Sequence, residues 1–403
     1  MTYKTVRDFD LENKSVLVRT DLNVPTDDHN NVTDTTRIDR LKPTIEYLLS
    51  QKAKVILLSH FGRPKGKKVP EMSLSFLPPF LEKSWGETVT FCEETTGDTA
   101  KDKIKKMHGG DILLLENTRF NAGEEKNDAE FAQTLADLGD IFINDAFSAA
   151  HRAHASTEGI TNHIPAGAGL LMEAELKALE TALENPKRPV AAIVGGAKIS
   201  TKLELLENLV ERVDYLVLGG GMANTFLYAQ GTDIKNSLCE NNMKDQALKI
   251  MDKAKKENCT ILLPEDGIAA PEFKANAPSD TVAIDNIPDG QMVLDVGPDT
   301  IEFLKEKLAD VKTIVWNGPL GAFEIEPFDN GTTALARYVA DKTKNGDFIS
   351  VAGGGDTVAA LEKAGVIDDF SYISTAGGAF LEWLEGKTLP GVAALARHKN
   401  TTR

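Results

Sequence analysis

Short apolar runs alternate with amphipathic segments along the whole chain, and this alternation limits the fold more than any other feature. In the first half the runs are SVLVRTDLN, KVILLSH, DILLLEN and DIFINDAF. In the second half they are VAAIVGG, DYLVLGG, TILLPED, TIVWNG, DFISVAGG and YISTAG. Continuous apolar strands separated by helical segments are typical of parallel sheets that helices cover on both faces. The sequence therefore predicts an α/β fold.

Two domains are expected, because 403 residues exceed what one hydrophobic core normally holds. The pattern breaks at AGAGL, and LMEAELKALETALENPKRP then predicts a helix that ends before its prolines. We expect a first domain of residues 1–168 and a second of residues 169–386, with a joining helix over 169–184. The pattern leaves open whether the tail, about residues 387–403, frays or returns to the first domain.

Composition argues against several classes of protein. The net charge of −16 argues against nucleic acid as a partner. No apolar run reaches the length of a membrane span, and the first twenty residues lack the apolar core of a signal peptide. Cys92, Cys239 and Cys259 show neither metal nor redox spacing. We therefore expect a cytoplasmic protein with reduced thiols and with no nucleic-acid or membrane partner.

Polar residues follow the strands of the first half, where ligands bind in parallel α/β sheets. Arginine guanidinium groups match carboxylate and phosphate oxygens, so several of them at one sheet edge predict a site for a small, multiply anionic molecule. Scattered salt bridges are the alternative for each arginine. The residues at this edge are Asp21, Asn23, Arg37, His60, Arg63, Asn117, Arg119, Asn144, Asp145, His151, Arg152 and His154.

Glycine-rich segments follow the strands of the second half instead, namely VGGAKIST, LGGGMANT, WNGPLGAFE, AGGGDTV and TAGGAF. Such segments leave room for a large flat ligand and its phosphates, although a structural turn is the favoured explanation of each segment taken alone. The Walker pattern, the dinucleotide pattern and the protein-kinase motifs are all absent from the sequence. The edge is therefore a nucleotide-site candidate without a standard signature.

Lys198 and Lys202 lie four residues apart in GGAKISTK, at the predicted start of a helix. This spacing would place both on one helix face. Two ammonium groups near a helix N-terminus are unfavourable unless an anion lies between them, and a phosphate chain would supply that anion. Two exposed surface lysines are the alternative.

Asp356 ends the glycine loop AGGGDTV, where an anion is unexpected beside bound phosphate. One interpretation is that its carboxylate holds Mg²⁺ that arrives with a nucleotide, since this cation prefers carboxylate and phosphate oxygens. The other is that Asp356 caps the following helix and that Thr357 merely occupies its first turn. The loop alone does not decide between them.

Ten segments together resemble the phosphoglycerate kinase family in order and spacing, from about residue 5 to residue 395. They are SVLVRTDLNVP, LLSHFGRP, LLLENTRF, FINDAFSAAHRAHAS, AGLLMEAEL, VGGAKISTK, LGGGMANTF, VWNGPLGAFE, SVAGGGDTV and STAGGAFLEWLEGKTLPGV. The resemblance implies reversible phosphoryl transfer from 1,3-bisphosphoglycerate to MgADP, giving ATP and 3-phosphoglycerate. It also implies two Rossmann-like domains joined by a hinge helix, a tail packed on the first domain, and a monomer.

The resemblance also assigns site residues. The triose would bind Asp21, Asn23, Arg37, His60, Arg63, Arg119 and Arg152. The nucleotide would bind Gly195, Gly196, Lys202, Gly219, Gly220, Asn317, Glu324, Gly353, Gly354, Gly355, Asp356 and Thr357, with Glu324 at the ribose and Asp356 at Mg²⁺. The transferred phosphoryl group would lie among Arg37, Lys198, Lys202 and the backbone of Gly377 and Gly378.

Two positions depart from the family pattern. Ala376 replaces the first of three glycines, and Phe380 stands where a small polar residue is common. We expect Ala376 to lose freedom at positive φ and Phe380 to reshape the N-terminus of the last helix.

Two other classes of protein remain as alternatives. A dehydrogenase would need the dinucleotide pattern, which is absent. A non-catalytic relative would be expected to lack charged site residues, whereas Arg37, Lys198, Lys202 and Asp356 are present.

Overall fold

The computed structural model describes residues 3–397, which form two compact units. The first comprises the described residues up to Leu176 together with those from Thr388 onwards, and the second comprises Lys177–Lys387. Each unit is built around a six-stranded sheet in which every neighbouring pair is parallel. The predicted α/β fold is confirmed.

The sheet of the first unit has the strand order β3-β4-β2-β1-β5-β6. Its strands are β1 (Ser15–Arg19), β2 (Lys54–Leu58), β3 (Val89–Cys92), β4 (Ile112–Leu115), β5 (Ile141–Asn144) and β6 (Ala166–Ala168). Every residue of β4 and β5 is buried, as expected for strands that helices cover on both faces. Strands β2 and β5 flank β1 on its two sides, so the carboxyl ends of all three strands meet near Arg19.

Helices cover this sheet because each has one apolar face. They are α1 (Thr36–Ser50), α2 (Pro78–Trp85), α3 (Asp98–Lys105) and α4 (Ala129–Ala136). In α1 the buried residues Ile38, Leu41, Ile45 and Leu48 recur at helical spacing and join the core of β1 and β2. Arg37, in the first turn of α1, lies near the carboxyl end of β1, because its Nη1 donates to Asp21 Oδ2.

Helix α5 (Leu170–Leu179) continues into a π-helical turn, Glu180–Glu184, and the boundary between the units falls within it, after Leu176. The boundary thus lies eight residues beyond the one that the break at AGAGL indicates. Asp145 anchors the start of α5, because its Oδ1 accepts the N–H of Met172 at 2.9 Å. Burial raises the pKa of Asp145 to about 6.

The second unit contains two sheets. Its strands are β7 (Val190–Val194), β8 (Tyr215–Leu218), β9 (Thr260–Leu262), β10 (Asp266–Ala270), β11 (Asp280–Ala283), β12 (Met292–Val296), β13 (Thr313–Asn317), β14 (Ile349–Gly353) and β15 (Tyr372–Ser374). The parallel sheet has the order β15-β14-β13-β7-β8-β9, and β11-β10-β12 form a small antiparallel sheet. The apolar-run pattern does not indicate the small sheet, since β10 contains Asp and Gly and β11 is largely exposed.

The remaining helices follow in chain order. They are α6 (Leu203–Leu209), α7 (Gly220–Ala229), α8 (Lys244–Lys256), α9 (Pro298–Leu308), α10 (Asn330–Lys344), α11 (Gly355–Lys363), α12 (Gly377–Leu384) and α13 (Pro390–Arg397). Helix α13 belongs to the first unit, where the N–H of Gly391 donates to the carbonyl of Ala150 at 2.8 Å. The rest of the predicted tail, residues 398–403, lies outside the described residues. Within residues 3–397 no helix is long and apolar enough to cross a membrane.

Asp295 is an ionisable group in the interior of the second unit. Its carboxylate accepts the backbone N–H of Val296 at 2.9 Å and of Gly331 at 2.7 Å. Burial raises the pKa of Asp295 to about 8 despite these hydrogen bonds. In the unfolded chain an aspartate titrates near about 4. The folded protein therefore binds more protons between these values, and its stability falls as pH rises through this window.

We predict that Asp295→Asn removes this titration. The free energy of unfolding of the variant, relative to the parent, should rise by on the order of 3 kcal/mol between about pH 5 and about pH 9. Urea unfolding followed by circular dichroism at a series of pH values measures the difference, with the exposed Asp310→Asn as the control. A difference that does not change with pH would contradict the burial argument.

Candidate active site

The carboxyl ends of β1 and β2 bring together Asp21, Asn23 and Arg37. Arg37 Nη1 donates to Asp21 Oδ2 at 2.8 Å and to the carbonyl of Asn23 at 2.9 Å. The side-chain oxygen of Asn23 accepts the N–H of Gly62 at 2.9 Å, which ties the loop after β2 to the loop after β1. Asp21 also accepts the hydroxyl of Ser148. These three predicted residues therefore form one connected group.

Arg19 lies beneath this group and was not among the residues predicted from the sequence. Its side chain is fully buried, with 0% exposure. The Nε donates to Ser156 Oγ at 2.8 Å, and Nη2 lies 3.1 Å from His60 Nδ1. The available signal is an arginine at the carboxyl end of a strand whose other residues are almost all apolar, SVLVR.

Arg119 and Arg152 belong to the same cluster. Arg119 is 4% exposed, and its Nη1 donates to the carbonyl of Gly62 at 2.9 Å. Glu125 Oε1 lies 3.5 Å from its Nε. Arg152 Nε donates to His151 Nε2 at 3.2 Å. The two guanidinium groups thus reach the edge from the loops after β4 and β5.

The pKa of His60 shows which positive charges lie close to its ring. Burial first, and then the positive charges of Arg19, Arg119, Arg37 and Arg152, hold the pKa of His60 well below its ordinary value. Burial and three of these arginines also lower the pKa of His154, to about 4. The cluster therefore contains neutral imidazoles among fixed cations.

Arg63 differs from the other three predicted arginines, although it follows the same strand as His60. Its side chain is exposed, and its charge is not among those that lower the pKa of His60. The structure therefore brings together three of the four arginines predicted from the sequence, and Arg19 is the fourth member.

In the second unit Lys202 lies at the carboxyl ends of the two central strands, β7 and β13. Its Nζ donates to the carbonyl of Gly195 at 2.7 Å and to that of Asn317 at 3.1 Å. Burial lowers the pKa of Lys202 to about 8, and the nearby charge of Asp356 acts in the opposite direction. A largely buried ammonium group and a carboxylate are therefore close neighbours at this edge.

The prediction that Lys198 and Lys202 share one helix face is wrong. Residues Ile199–Thr201 form a 3-10 turn, and helix α6 begins only at Leu203. The i,i+4 geometry of an α-helix therefore does not apply to the two lysines. Lys198 is exposed, whereas Lys202 turns inward to the carbonyl groups at the strand ends.

Several glycines allow the strand ends to approach one another. A Cβ on Gly195 would lie 1.7 Å from the carbonyl oxygen of Pro319, and Gly318 has φ +108°. Backbone segments therefore meet where any side chain would collide. The neighbouring Gly196, Gly219 and Gly220 lie between β7 and its following turn and at the start of α7.

Asp356 is not a helix cap. Helix α11 begins at Gly355, its N-cap is Gly354, and no side chain caps it. Asp356 is therefore the second helical residue, with an exposed side chain that is free for a ligand. The capping interpretation is wrong.

Thr357 has a definite structural role instead of merely occupying the first turn. It is 2% exposed, and its Oγ1 accepts the N–H of Gly318 at 2.7 Å. Asn317 Nδ2 donates to the carbonyl of Gly353 at 2.9 Å. These two bonds fix the loop before α11 against the end of β13. Glu324 is exposed and lies beyond the same strand.

The two departures from the family pattern have clear structural outcomes. Ala376 has φ −92°, so its position requires no positive φ and the expected cost is absent. Phe380 is fully buried, and its ring occupies the space that a Cβ on Gly353 would need. Gly377 begins α12, and open space surrounds the position of its missing Cβ. Gly378 follows it in the same first turn.

The donor set suits a cation that receives further ligands from a bound molecule. Among residues 3–397 there is no group of three or more His, Cys, Asp or Glu that could hold a metal ion alone. The exposed carboxylate of Asp356 stands beside the glycine loop. Mg²⁺ commonly binds through one or two carboxylates together with substrate phosphates, and this arrangement fits that habit.

One unit thus presents buried arginines, and the other presents a buried lysine among glycine-rich strand ends. Together with the two parallel sheets, these features define the class of α/β enzymes that bind phosphorylated small molecules at the carboxyl ends of their strands.

Comparisons with known proteins identify the family. The model of the phosphoglycerate kinase family matches residues 6–387. A phosphoglycerate kinase from Rhodospirillum centenum is 60% identical over 395 residues, which cover 98% of this chain and 100% of the relative. One from Sinorhizobium fredii is 58% identical over 400 residues, which cover 99% and 100%. The structure of phosphoglycerate kinase from Coxiella burnetii has a TM-score of 0.92 at 45% identity, covering 98% of this chain and 99% of that one. The chain belongs to the phosphoglycerate kinase family.

We predict that Gly353→Ala destabilises the second unit. The new Cβ would lie between 2.6 and 2.8 Å from three ring atoms of Phe380, so the ring or the strand end must move. Overpacking of this kind costs about 1–3 kcal/mol, which urea unfolding measures. Gly355→Ala is the matched control, since nothing lies within 4 Å of its added Cβ. Equal stability of the two variants would show that the ring yields without cost.

Proposed function

We propose that this chain catalyses reversible phosphoryl transfer from 1,3-bisphosphoglycerate to MgADP, giving ATP and 3-phosphoglycerate. The observation that carries the proposal is a match to phosphoglycerate kinases over 98% of the chain. The charges within each unit support it, because the two substrates are both multiply anionic. We expect the protein to act as a cytoplasmic monomer.

The first unit is the proposed triose site. Arg119 and Arg152 would bind phosphate or carboxylate oxygens, while Arg37 would lie at the transferred phosphoryl group. Asp21 and Asn23 would bind the hydroxyl and carboxyl end of the triose. Asp21 is held for this by Arg37 and Ser148, so its orientation is set before the ligand arrives. Arg63, being exposed, would have to reach the ligand from the rim.

The second unit is the proposed nucleotide site. The glycine-rich strand ends at Gly195, Gly196, Gly219 and Gly220 would let the ligand approach the backbone, and Glu324 would hold the ribose. The loop Gly353–Thr357 would accept the phosphate chain beside the start of α11. When bound, Mg²⁺ would neutralise phosphate charge, and Asp356 is the residue that would hold it. Lys202 and the exposed Lys198 would supply positive charge to the transferred group.

The chemistry requires positioning and charge more than proton transfer. Phosphoryl transfer passes through a loose transition state whose charge lies on the phosphoryl oxygens. The carboxylate of 3-phosphoglycerate is already ionised at neutral pH, so its attack needs no general base. Lys202 fits this task, because its Nζ is held by two carbonyl groups and does not need to be ordered when the ligand binds. The start of α12, at Gly377 and Gly378, offers backbone N–H groups for the same oxygens.

Phosphoryl transfer requires that the two substrates meet and that water is excluded from the reacting groups. We propose that the helix over residues 169–184 acts as the hinge for this movement. Its first turn is anchored by Asp145, and its last part is the π-helical turn Glu180–Glu184.

The activity is tested in an assay of ATP formation from 1,3-bisphosphoglycerate and MgADP, and the role of Lys202 is tested with Lys202→Ala in the same assay. We expect kcat of this variant to fall by about a hundredfold or more, as for the loss of one transition-state donor, while the unfolding midpoint changes little. Arg37→Ala should behave in the same way. The exposed Lys312→Ala serves as the control. Absence of ATP formation by the folded parent protein would overturn the proposed function, and near-parental kcat in either variant would remove that residue from the catalytic group.

The metal assignment is tested by Asp356→Ala with binding measured by titration calorimetry. We expect MgADP affinity to fall by about tenfold or more, because a charged ligand to the cation is lost. Affinity for ADP without Mg²⁺ and for 3-phosphoglycerate should stay nearly unchanged. Asp368→Ala, also exposed in the second unit, is the control. If affinity for 3-phosphoglycerate fell to the same extent, Asp356 would have a general structural role instead.

A further inference from the structure

Arg19 makes contacts that are unusual for so deeply buried a cation. Its Nε donates to Ser156 Oγ at 2.8 Å, and its Nη1 donates to the carbonyl of Thr20. The remaining terminal nitrogen, Nη2, faces His60 Nδ1 at 3.1 Å. The planar guanidinium is therefore fixed on three sides, and one of its N–H groups points at the imidazole.

The chemistry of the two groups settles the direction of the hydrogen bond. A guanidinium has only donors and keeps its proton at any ordinary pH. Nδ1 of His60 must therefore be the acceptor and cannot carry a proton. In a neutral imidazole the proton then resides on Nε2.

The surroundings keep the ring neutral. Charged groups face His60 from β1 (Arg19), from α1 (Arg37), and from the loops after β4 and β5 (Arg119 and Arg152). A second proton would place a further positive charge among these four. Burial and these charges therefore keep the pKa of His60 well below its ordinary value, so the ring does not gain that proton near neutral pH.

The network that holds Arg19 is built into the interior. Ser156 and Glu124 both have 0% exposure. The hydroxyl of Ser156 donates to Glu124 Oε1, and the N–H of Ser156 donates to Oε2 at 3.0 Å. Ser156 thus connects the buried cation to a buried carboxylate, which offsets the cost of burying the guanidinium. Arg19 cannot swing away from His60 without breaking these bonds.

The other nitrogen of His60 remains available. Within residues 3–397 the Nε2 has no hydrogen-bond partner, and the residue keeps 8% exposure at the arginine edge. We propose that Arg19 is a positioning residue that fixes the Nε2–H tautomer of His60, so that this N–H is a permanent, uncharged donor to an oxygen of the bound anion. The identity of that anion as the triose rests on the proposed function.

A neutral donor has a different use from a fifth cation beside these four arginines. It adds a directed hydrogen bond without adding a further positive charge to a cluster of arginines that already repel one another. It also avoids the loss of affinity that an imidazolium would cause as pH rises through neutrality. The expected consequence is that His60 contributes equally to anion binding on both sides of neutral pH.

Nitrogen NMR on the ligand-free protein tests the tautomer directly. The protein is labelled with ¹⁵N at its histidines, and the His60 signals are assigned from their loss in His60→Gln. We expect Nε2 in the protonated range and Nδ1 in the unprotonated range, with no change across neutral pH. His108→Gln, at an exposed position of the same unit, is the control and should leave these signals in place. A protonated Nδ1 in the parent protein would overturn the proposal, whatever the enzymatic activity.

Arg19→Lys tests the cause, because one ammonium group cannot hold both Ser156 and His60 in the same geometry. We expect the His60 signals to shift toward a mixture of tautomers in the folded variant. An unchanged tautomer would show that Arg19 does not set it and would overturn the proposal.

Amide replacements at His60 provide a test that leaves Arg19 intact. The side-chain nitrogen of Gln lies near the position of Nε2, whereas that of Asn lies near Nδ1. We expect His60→Asn to lower affinity for 3-phosphoglycerate by about tenfold or more, and His60→Gln to lose clearly less. Equal losses, or a larger loss in His60→Gln, would contradict the role of Nε2–H as the donor. Failure of the parent to bind 3-phosphoglycerate would count against the proposed function alone, because the tautomer is read without ligand.

Discussion

The bond from Lys202 to the carbonyl groups of Gly195 and Asn317 is the interaction on which the second unit's site depends. It brings an ammonium group to the point where the two central strands of a parallel sheet end. Such a charge is costly to bury without partners, and the two carbonyl dipoles offset that cost. The close backbone approach at Gly195 and Gly318 is what allows both carbonyl groups to face one nitrogen. Glycines at this edge therefore serve the placement of a charge as well as the passage of a ligand.

The first unit solves a similar problem with a different group. Arg19 is buried at the end of β1, and its charge reaches Glu124 through Ser156. In both units a fixed cation lies below the surface of the site, and more exposed charges lie above it. Preorganised charge of this kind does not have to reorient as a phosphorylated ligand enters.

Much of this arrangement could be predicted from the sequence, since the apolar runs and the glycine-rich ends mark the strands and their carboxyl edges. Three points could not. The inward turn of Lys202 depends on a 3-10 turn at Ile199–Thr201 that helical spacing does not reveal. The burial of Arg19 depends on Ser156 and Glu124, which lie more than a hundred residues away in the chain. The role of Thr357 depends on Gly318, which follows a neighbouring strand. Each requires knowledge of tertiary contacts.

The contact between Gly353 and Phe380 has a consequence for the history of such chains. The ring fills the volume that a larger residue at 353 would need, so neither position can change freely while the other keeps its present side chain. Substitutions there should be inherited in pairs, with small polar residues at 380 accompanying greater tolerance at 353. An aromatic residue at 380 therefore indicates that residue 353 is a glycine.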